Sequence, residues 1–141
     1  MGPITGQPRI VCVTGAAEVR AVRAVSGPMA LRFLSAQGAG GFLGWAGFQA
    51  LLAAEWQSAI LDCADAPGHA LAALRHGCPA VVLAPCVPGF AALADIAAGI
   101  GATLLPARPP ALDLARLRLD TPAGRAHLRR HLGLPVLRDM D

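Results

Sequence analysis

The 141-residue sequence contains no lysine and no tyrosine, and only 4% of its residues are aromatic. All twelve basic residues are therefore arginines. The absence of lysine excludes Schiff-base catalysis, a lysine general base and the lysine of a phosphate-binding P-loop. Charged residues are also scarce, at 15% against about 25% in typical soluble domains. We therefore expect apolar helix faces to be shared between copies, as in a homo-oligomer, although alanine, with 30 residues, could also form an unshared surface.

Cysteine is present but not in a metal-binding or disulfide pattern. The four cysteines are Cys12, Cys63, Cys78 and Cys86, and no two of them form a C-x-x-C pair. Their spacing matches no zinc site, so no metal is predicted. The N-terminal stretch lacks a basic segment followed by a long apolar run, which argues against a signal peptide. Reduced thiols and a cytoplasmic location are the resulting expectations.

Two classes of partner are disfavoured. The net charge of +3 is small and dispersed, which makes a nucleic acid an unlikely partner. Residues 33–54 carry no charge and are long enough to cross a bilayer. However, three polar residues and five glycines interrupt this stretch, and its neighbours have the pattern of strands. We therefore predict no membrane span.

Short apolar runs alternate with helical segments through most of the chain, which is typical of βαβ units on a parallel sheet. The pattern predicts a loose lead-in over residues 1–8 and a single α/β domain over residues 9–141. The expected architecture is a three-layer, open, mostly parallel five-stranded sheet of order 2-1-3-4-5, with the second strand nearer an edge. The predicted strands are Arg9–Thr14, Met29–Ser35, Ser58–Cys63, Ala80–Ala84 and Thr103–Leu105.

Turn and capping residues set the predicted helix ends. A helix from about Phe42 to Glu55 carries a glycine stripe, for which close packing is the simplest explanation. Asp65 is placed to cap the helix that begins near Pro67. A basic C-terminal helix is expected over about 122–132, with Thr121 as its cap and Gly133 after its end. Residues 111–120 fit a strand and a helix equally well.

Ligands of open α/β sheets gather at the carboxyl ends of the strands, near the point where the strand order reverses. For the order 2-1-3-4-5, that point lies between the first and third strands. The rule selects ten candidate ligand-binding residues: Thr14, Gly15, Gln37, Gly38, Gly40, Gly41, Asp62, Asp65, Cys86 and Arg108. Arg108 precedes two prolines on a stiff segment and is the strongest of them for contact with an anion.

Residues 9–118 resemble the receiver domain of two-component response regulators, which has a flavodoxin-like fold. Asp62 ends the third strand where that family has its phospho-acceptor, and Arg108-Pro109 stands where a lysine-proline pair is usual. The resemblance implies a magnesium-dependent phosphotransfer site. The acidic pair that holds magnesium is replaced by Thr14-Gly15, and Ala84 replaces the expected hydroxyl. These departures argue against phosphotransfer, and leave open a degenerate receiver or an unrelated flavodoxin-like domain.

Three functional hypotheses follow. The first is a small oligomeric binding module for an anionic metabolite or nucleotide at the carboxyl edge of the sheet. The second is a non-catalytic protein-interaction module of receiver type. The third is an enzyme that uses Asp62 or a cysteine thiolate, which is disfavoured because no nucleophile has an identifiable base beside it. The sequence names no cofactor.

Overall fold

The computed structural model describes residues 9–136, so the predicted lead-in of residues 1–8 lies outside the described residues. Helices and parallel strands alternate, as the sequence pattern predicts. The strands are β1 (Arg9–Cys12), β2 (Leu31–Leu34), β3 (Ala59–Asp62), β4 (Ala80–Val82), β5 (Thr103–Leu105) and β6 (Leu112–Asp113). The helices are α1 (Ala16–Ser26), α2 (Ala39–Phe42), α3 (Gly44–Leu52), α4 (Pro67–Arg75), α5 (Phe90–Gly99) and α6 (Pro122–Leu132), with short 3-10 helices at Ala53–Ser58 and Leu114–Arg116.

The six strands form one parallel sheet of order β5-β4-β3-β2-β1-β6. The predictions of five strands and of the order 2-1-3-4-5 are therefore wrong. The second strand is also not an edge strand, because β2 lies between β1 and β3. Phe33 and Leu34 point to opposite faces of the sheet and both are buried. Arg32, a charged residue between two apolar ones, gave the sequence the alternation of apolar and polar residues that is typical of an edge strand. The sixth strand, within residues 111–120, is too short to give a sequence pattern.

The strand order explains the layers. From β1 to β5, each new strand lies next to the preceding one, and always in the same direction across the sheet. Because crossovers between parallel strands are right-handed, the helices that connect these strands all lie on the same face of the sheet. The buried apolar residues of all six helices belong to one large cluster with Val11, Phe33, Leu61 and Val81. The second face carries a smaller cluster to which no helix of residues 9–136 contributes: Cys12, Leu34, Ile60, Ala80 and Val82. The described part of the chain therefore has two layers, not the predicted three.

The predicted helix from Phe42 to Glu55 is broken into three pieces. Gly44 adopts φ +76° and separates α2 from α3, and Ala53, at φ +51°, separates α3 from the 3-10 helix that follows. A positive φ is unfavourable for alanine. Close packing, the predicted reason for the glycines, holds at Gly40, where a Cβ atom would lie 2.7 Å from the Cys63 sulfur and 3.1 Å from the Asp62 carbonyl oxygen.

The C-terminal helix is predicted well. Thr121 caps α6 by accepting a hydrogen bond from the Gly124 amide at 3.1 Å, Pro122 is the first helical residue, and Gly133 ends the helix at φ +76°. These are local signals that act within one helical turn. Among residues 9–136, no helix is long and apolar enough to cross a membrane.

Candidate functional site at the carboxyl edge of the sheet

Residues 106–111 (PARPPA) connect β5 at one edge of the sheet to β6 at the other. Five interstrand spacings separate these strands, or about 24 Å. Seven residue steps from Leu105 to Leu112 can span at most about 23–25 Å. The connection must therefore be almost fully extended, which suits a segment with three prolines. We call residues 106–111 the crossing segment. Leu105 and Ala111, at its two ends, pack against the apolar cluster of the second sheet face.

Arg108 lies in the middle of the crossing segment and bonds to the ends of three strands. Its Nη1 donates to the Asp62 carboxylate at 2.7 Å and to the Ser35 carbonyl oxygen at 3.1 Å. Its Nη2 donates to the Cys12 sulfur at 3.6 Å. Asp62 ends β3, Ser35 follows β2 and Cys12 ends β1. The Nε–H and the second Nη2 hydrogen have no hydrogen-bond partner among residues 9–136, and 30% of the side chain is exposed.

The Asp62 carboxylate is buried, with 4% of its side chain exposed, and both of its oxygens are bonded. One accepts from Arg108, and the other accepts the Ala64 amide at 2.8 Å. The backbone amide of Asp62 donates to the Ser35 hydroxyl at 2.9 Å. A buried carboxylate is costly unless it is paired and hydrogen-bonded. Asp62 is both, so the pair with Arg108 also fastens the crossing segment to the sheet.

Burial and the contacts of Arg108 shift the pKa values of four groups in and near the site. Burial lowers the pKa of Arg108, but its hydrogen bond and charge attraction to Asp62 outweigh that effect and raise the pKa overall. Burial raises the pKa of the Cys12 thiol in spite of the nearby Arg108 guanidinium. Burial also raises the pKa of Cys63 to about 12 and that of Cys78 to about 11. These three thiols are therefore protonated at neutral pH, and a thiol is a much weaker nucleophile than a thiolate.

The other predicted residues make no hydrogen bond to Arg108 among residues 9–136. The Thr14 amide and hydroxyl both donate to Glu18. Gly38 is left-handed at φ +72° before α2, while Gly40 is buried against β3. Asp65 does not cap α4, since Ala66 holds the cap position and no side chain bonds there; the capping prediction is wrong. Those of these other residues that are exposed or partly exposed are Thr14, Gly15, Gln37, Gly38, Gly41, Asp65 and Cys86.

The structure therefore brings together Arg108, Asp62, Ser35 and Cys12, of which sequence reasoning named only the first two as site residues. Ser35 directly follows an apolar strand, a signal that could have identified it. Cys12 ends β1, and sequence reasoning predicted only that its thiol is reduced. The predicted strand order reverses direction between the first and third strands. In the observed order, this reversal lies between β1 and β6. No group of three metal-ligating side chains occurs in residues 9–136.

No protein-family model, no curated protein and no solved structure matches this chain. The structure supports a parallel α/β fold, but its strand order differs from the 2-1-3-4-5 order that the receiver resemblance implies. Asp62 and Arg108 do meet, with 2.7 Å between the Asp62 carboxylate oxygen and Arg108 Nη1. Because Asp62 is buried and fully bonded, the pair has the geometry of an internal ion pair, not of an open phospho-acceptor site.

Proposed function

We propose that this protein binds a small anionic metabolite or nucleotide at the carboxyl edge of the sheet, with Arg108 as the principal contact. The observation that carries this proposal is that Arg108 is fixed by Asp62 and Ser35 while keeping two N–H donors unpaired among residues 9–136. A guanidinium held in one orientation loses little side-chain entropy when it binds an anion.

The residues that follow β2 favour an anion that is small and partly apolar. Gln37 and Gly41 are exposed near the end of β2, and Gln37 supplies an amide that donates and accepts hydrogen bonds. Phe42 follows them, with 73% of its surface exposed. A nucleotide base or another flat apolar group packed against Phe42 would bury part of this surface. Phosphate or carboxylate oxygens would then accept from Arg108.

The test is calorimetric titration with a defined panel: inorganic phosphate, AMP, ATP, acetyl phosphate with magnesium, and citrate. Simple removal of Arg108 leaves Asp62 buried and unpaired, so the informative variant is Asp62→Leu combined with Arg108→Met. Replacing a buried ion pair by apolar residues of similar size is often neutral for stability. Arg116→Gln is the control for the loss of an arginine elsewhere, because Arg116 is 86% exposed. The double variant removes one charge of each sign and so keeps the net charge of the wild type.

We expect at least one compound to bind the wild-type protein, and the double variant to lose at least tenfold in affinity while Arg116→Gln retains it. At about 100 times its dissociation constant, that compound should stabilise the wild-type fold by about 2.7 kcal/mol. Absence of binding across the panel, or equal binding by the folded double variant, would overturn the proposal.

A second candidate function, a protein-interaction module that includes self-association, is favoured by the exposed apolar residues. Phe42 and Leu43 are exposed at the carboxyl edge, and Ile96 and Ile100 are exposed on or directly after α5. Sedimentation velocity on Ile96→Asp and Phe42→Asp would separate the two surfaces. A wild-type dimer that one substitution dissociates would identify the interface, whereas a monomeric wild type would remove the self-association hypothesis.

A further inference from the structure

A separate cavity of about 380 Å³ lies in the helical layer, between α1 and the end of α3. Its volume falls within the range of about 300–1,000 Å³ that is usual for small-molecule sites. Helices α1 and α3 pack on the first sheet face. The cavity therefore lies on the opposite side of the sheet from the smaller apolar cluster of the second face. The lining residues that matter here are Val19, Arg20, Arg23, Ala50, Leu51 and Glu55.

The walls are mainly apolar. Val19 is buried and Leu51 is partly buried. Ala16 at the start of α1 and three alanines from the end of α3 and the following turn add further apolar surface. A cavity of this lining gains most from an apolar ligand body, since burial of apolar surface is the main favourable contribution.

Arg23 and Glu55 also line the cavity but are already paired with each other. Arg23 Nε and Nη2 donate to the two Glu55 carboxylate oxygens at 2.8 and 2.9 Å. Arg23 Nη1 donates to the carbonyl oxygens of Gly27 and Met29. The charges of this pair cancel, and its donors are directed at the protein.

Arg20 is the remaining charge of the lining. It lies three residues before Arg23 on α1, which places both side chains on one helix face. Arg20 is exposed and makes no hydrogen bond or ion pair within residues 9–136. The cavity thus combines an apolar interior with one positive charge at its mouth.

We infer that this cavity binds a monocarboxylate with a short apolar body, the body lying against Val19 and Leu51 and the carboxylate meeting Arg20. The charge complementarity selects an anion, and the mostly apolar lining selects against phosphorylated or sugar-like ligands, whose polar groups would find few partners there. This site is independent of the anion site proposed at Arg108.

The experiment uses octanoate as the probe, with octanamide as its neutral counterpart, in calorimetric titrations on the wild-type protein and four variants. Arg20→Gln removes the charge, and Arg75→Gln removes another exposed arginine, from α4. Ala50→Phe fills the cavity, and Ala46→Phe places the same side chain at an exposed position of α3 outside the cavity.

The inference expects saturable octanoate binding that weakens about tenfold in Arg20→Gln and is lost in Ala50→Phe. Arg75→Gln and Ala46→Phe should bind as the wild type does, and octanamide should bind about tenfold more weakly than octanoate. Circular dichroism establishes that each variant is folded. No saturable binding to the wild type, or octanoate binding unchanged in folded Arg20→Gln, would overturn the inference.

Discussion

Within residues 9–136, two arginine–carboxylate pairs join distant parts of the chain, and their environments differ. The pair of Arg108 and Asp62 connects residues 46 apart at the carboxyl edge, and its carboxylate is almost fully buried. The pair of Arg23 and Glu55 connects α1 to the 3-10 helix after α3, and both side chains remain about one quarter exposed. The first pair holds a segment with no secondary structure of its own. The second joins two elements that already pack through apolar contacts.

This difference teaches where an ion pair matters for a fold. A partly exposed pair competes with water and contributes little. A buried carboxylate that loses its partner retains an uncompensated charge in an apolar environment. Loss of the first pair should therefore cost far more than loss of the second.

The largest effect is expected for Arg108→Met, which should lower the free energy of unfolding by about 3 kcal/mol because Asp62 is left buried and unpaired. Urea denaturation measures this change. Native-state thiol labelling gives a second readout: Cys86 is exposed in the wild type, and loosening of the crossing segment should make Cys12 reactive as well. An unchanged unfolding free energy would show that the crossing segment does not depend on this pair.

A smaller effect is expected at the same edge for Gly40→Ala. Its Cβ atom would meet the Cys63 sulfur at 2.7 Å and two backbone atoms at 3.0 and 3.1 Å, so the chain must shift. Overpacking of this kind costs about 1–3 kcal/mol. Gly41→Ala is the control, since no atom lies within 4 Å of its Cβ position and alanine favours a helix. Equal stability of the two variants would contradict the close approach of α2 to β3.

The pair of Arg23 and Glu55 should give a coupling free energy of about 1 kcal/mol or less in a double-mutant cycle of Arg23→Met and Glu55→Gln. The reason is that both side chains keep access to water. Chemical denaturation of the wild type, both single variants and the double variant supplies the four values. A coupling free energy as large as the loss of unfolding free energy in Arg108→Met would show that the two pairs do not differ in their contribution to stability.

The smallest effect concerns pH. The hydrogen bond and the positive charge of Arg23 lower the pKa of Glu55 below its ordinary value of 4.5. The stabilisation from this pair is therefore present above the unfolded-state pKa and is lost as the pH falls through the folded-state pKa. Unfolding free energies measured from pH 6 to pH 3 should fall less steeply in Glu55→Gln than in the wild type. An equally steep fall of the unfolding free energy in both proteins would exclude a contribution of Glu55 to the loss of stability at low pH.

Local patterns in the sequence predicted much of the secondary structure. The third, fourth and fifth apolar runs are strands close to the predicted positions, and α6 begins and ends where Thr121, Pro122 and Gly133 indicate. The helix over residues 42–55 was less well predicted, because the backbone turns to positive φ at Gly44 and Ala53 and interrupts it there. The single-domain division, the cytoplasmic location and the homo-oligomer stay predictions.

By itself, the sequence determined the alternation of strands and helices, the helix ends set by proline and glycine, and the prominence of Asp62 and Arg108. These depend on side-chain periodicity and on contacts within one turn. Only the tertiary structure decided the strand order, the placement of the helices on one face, and the meeting of Arg108 with Asp62, Ser35 and Cys12. Strand order is a choice among long-range pairings of similar apolar runs. That choice depends on the whole core, because each run fits several neighbours equally well.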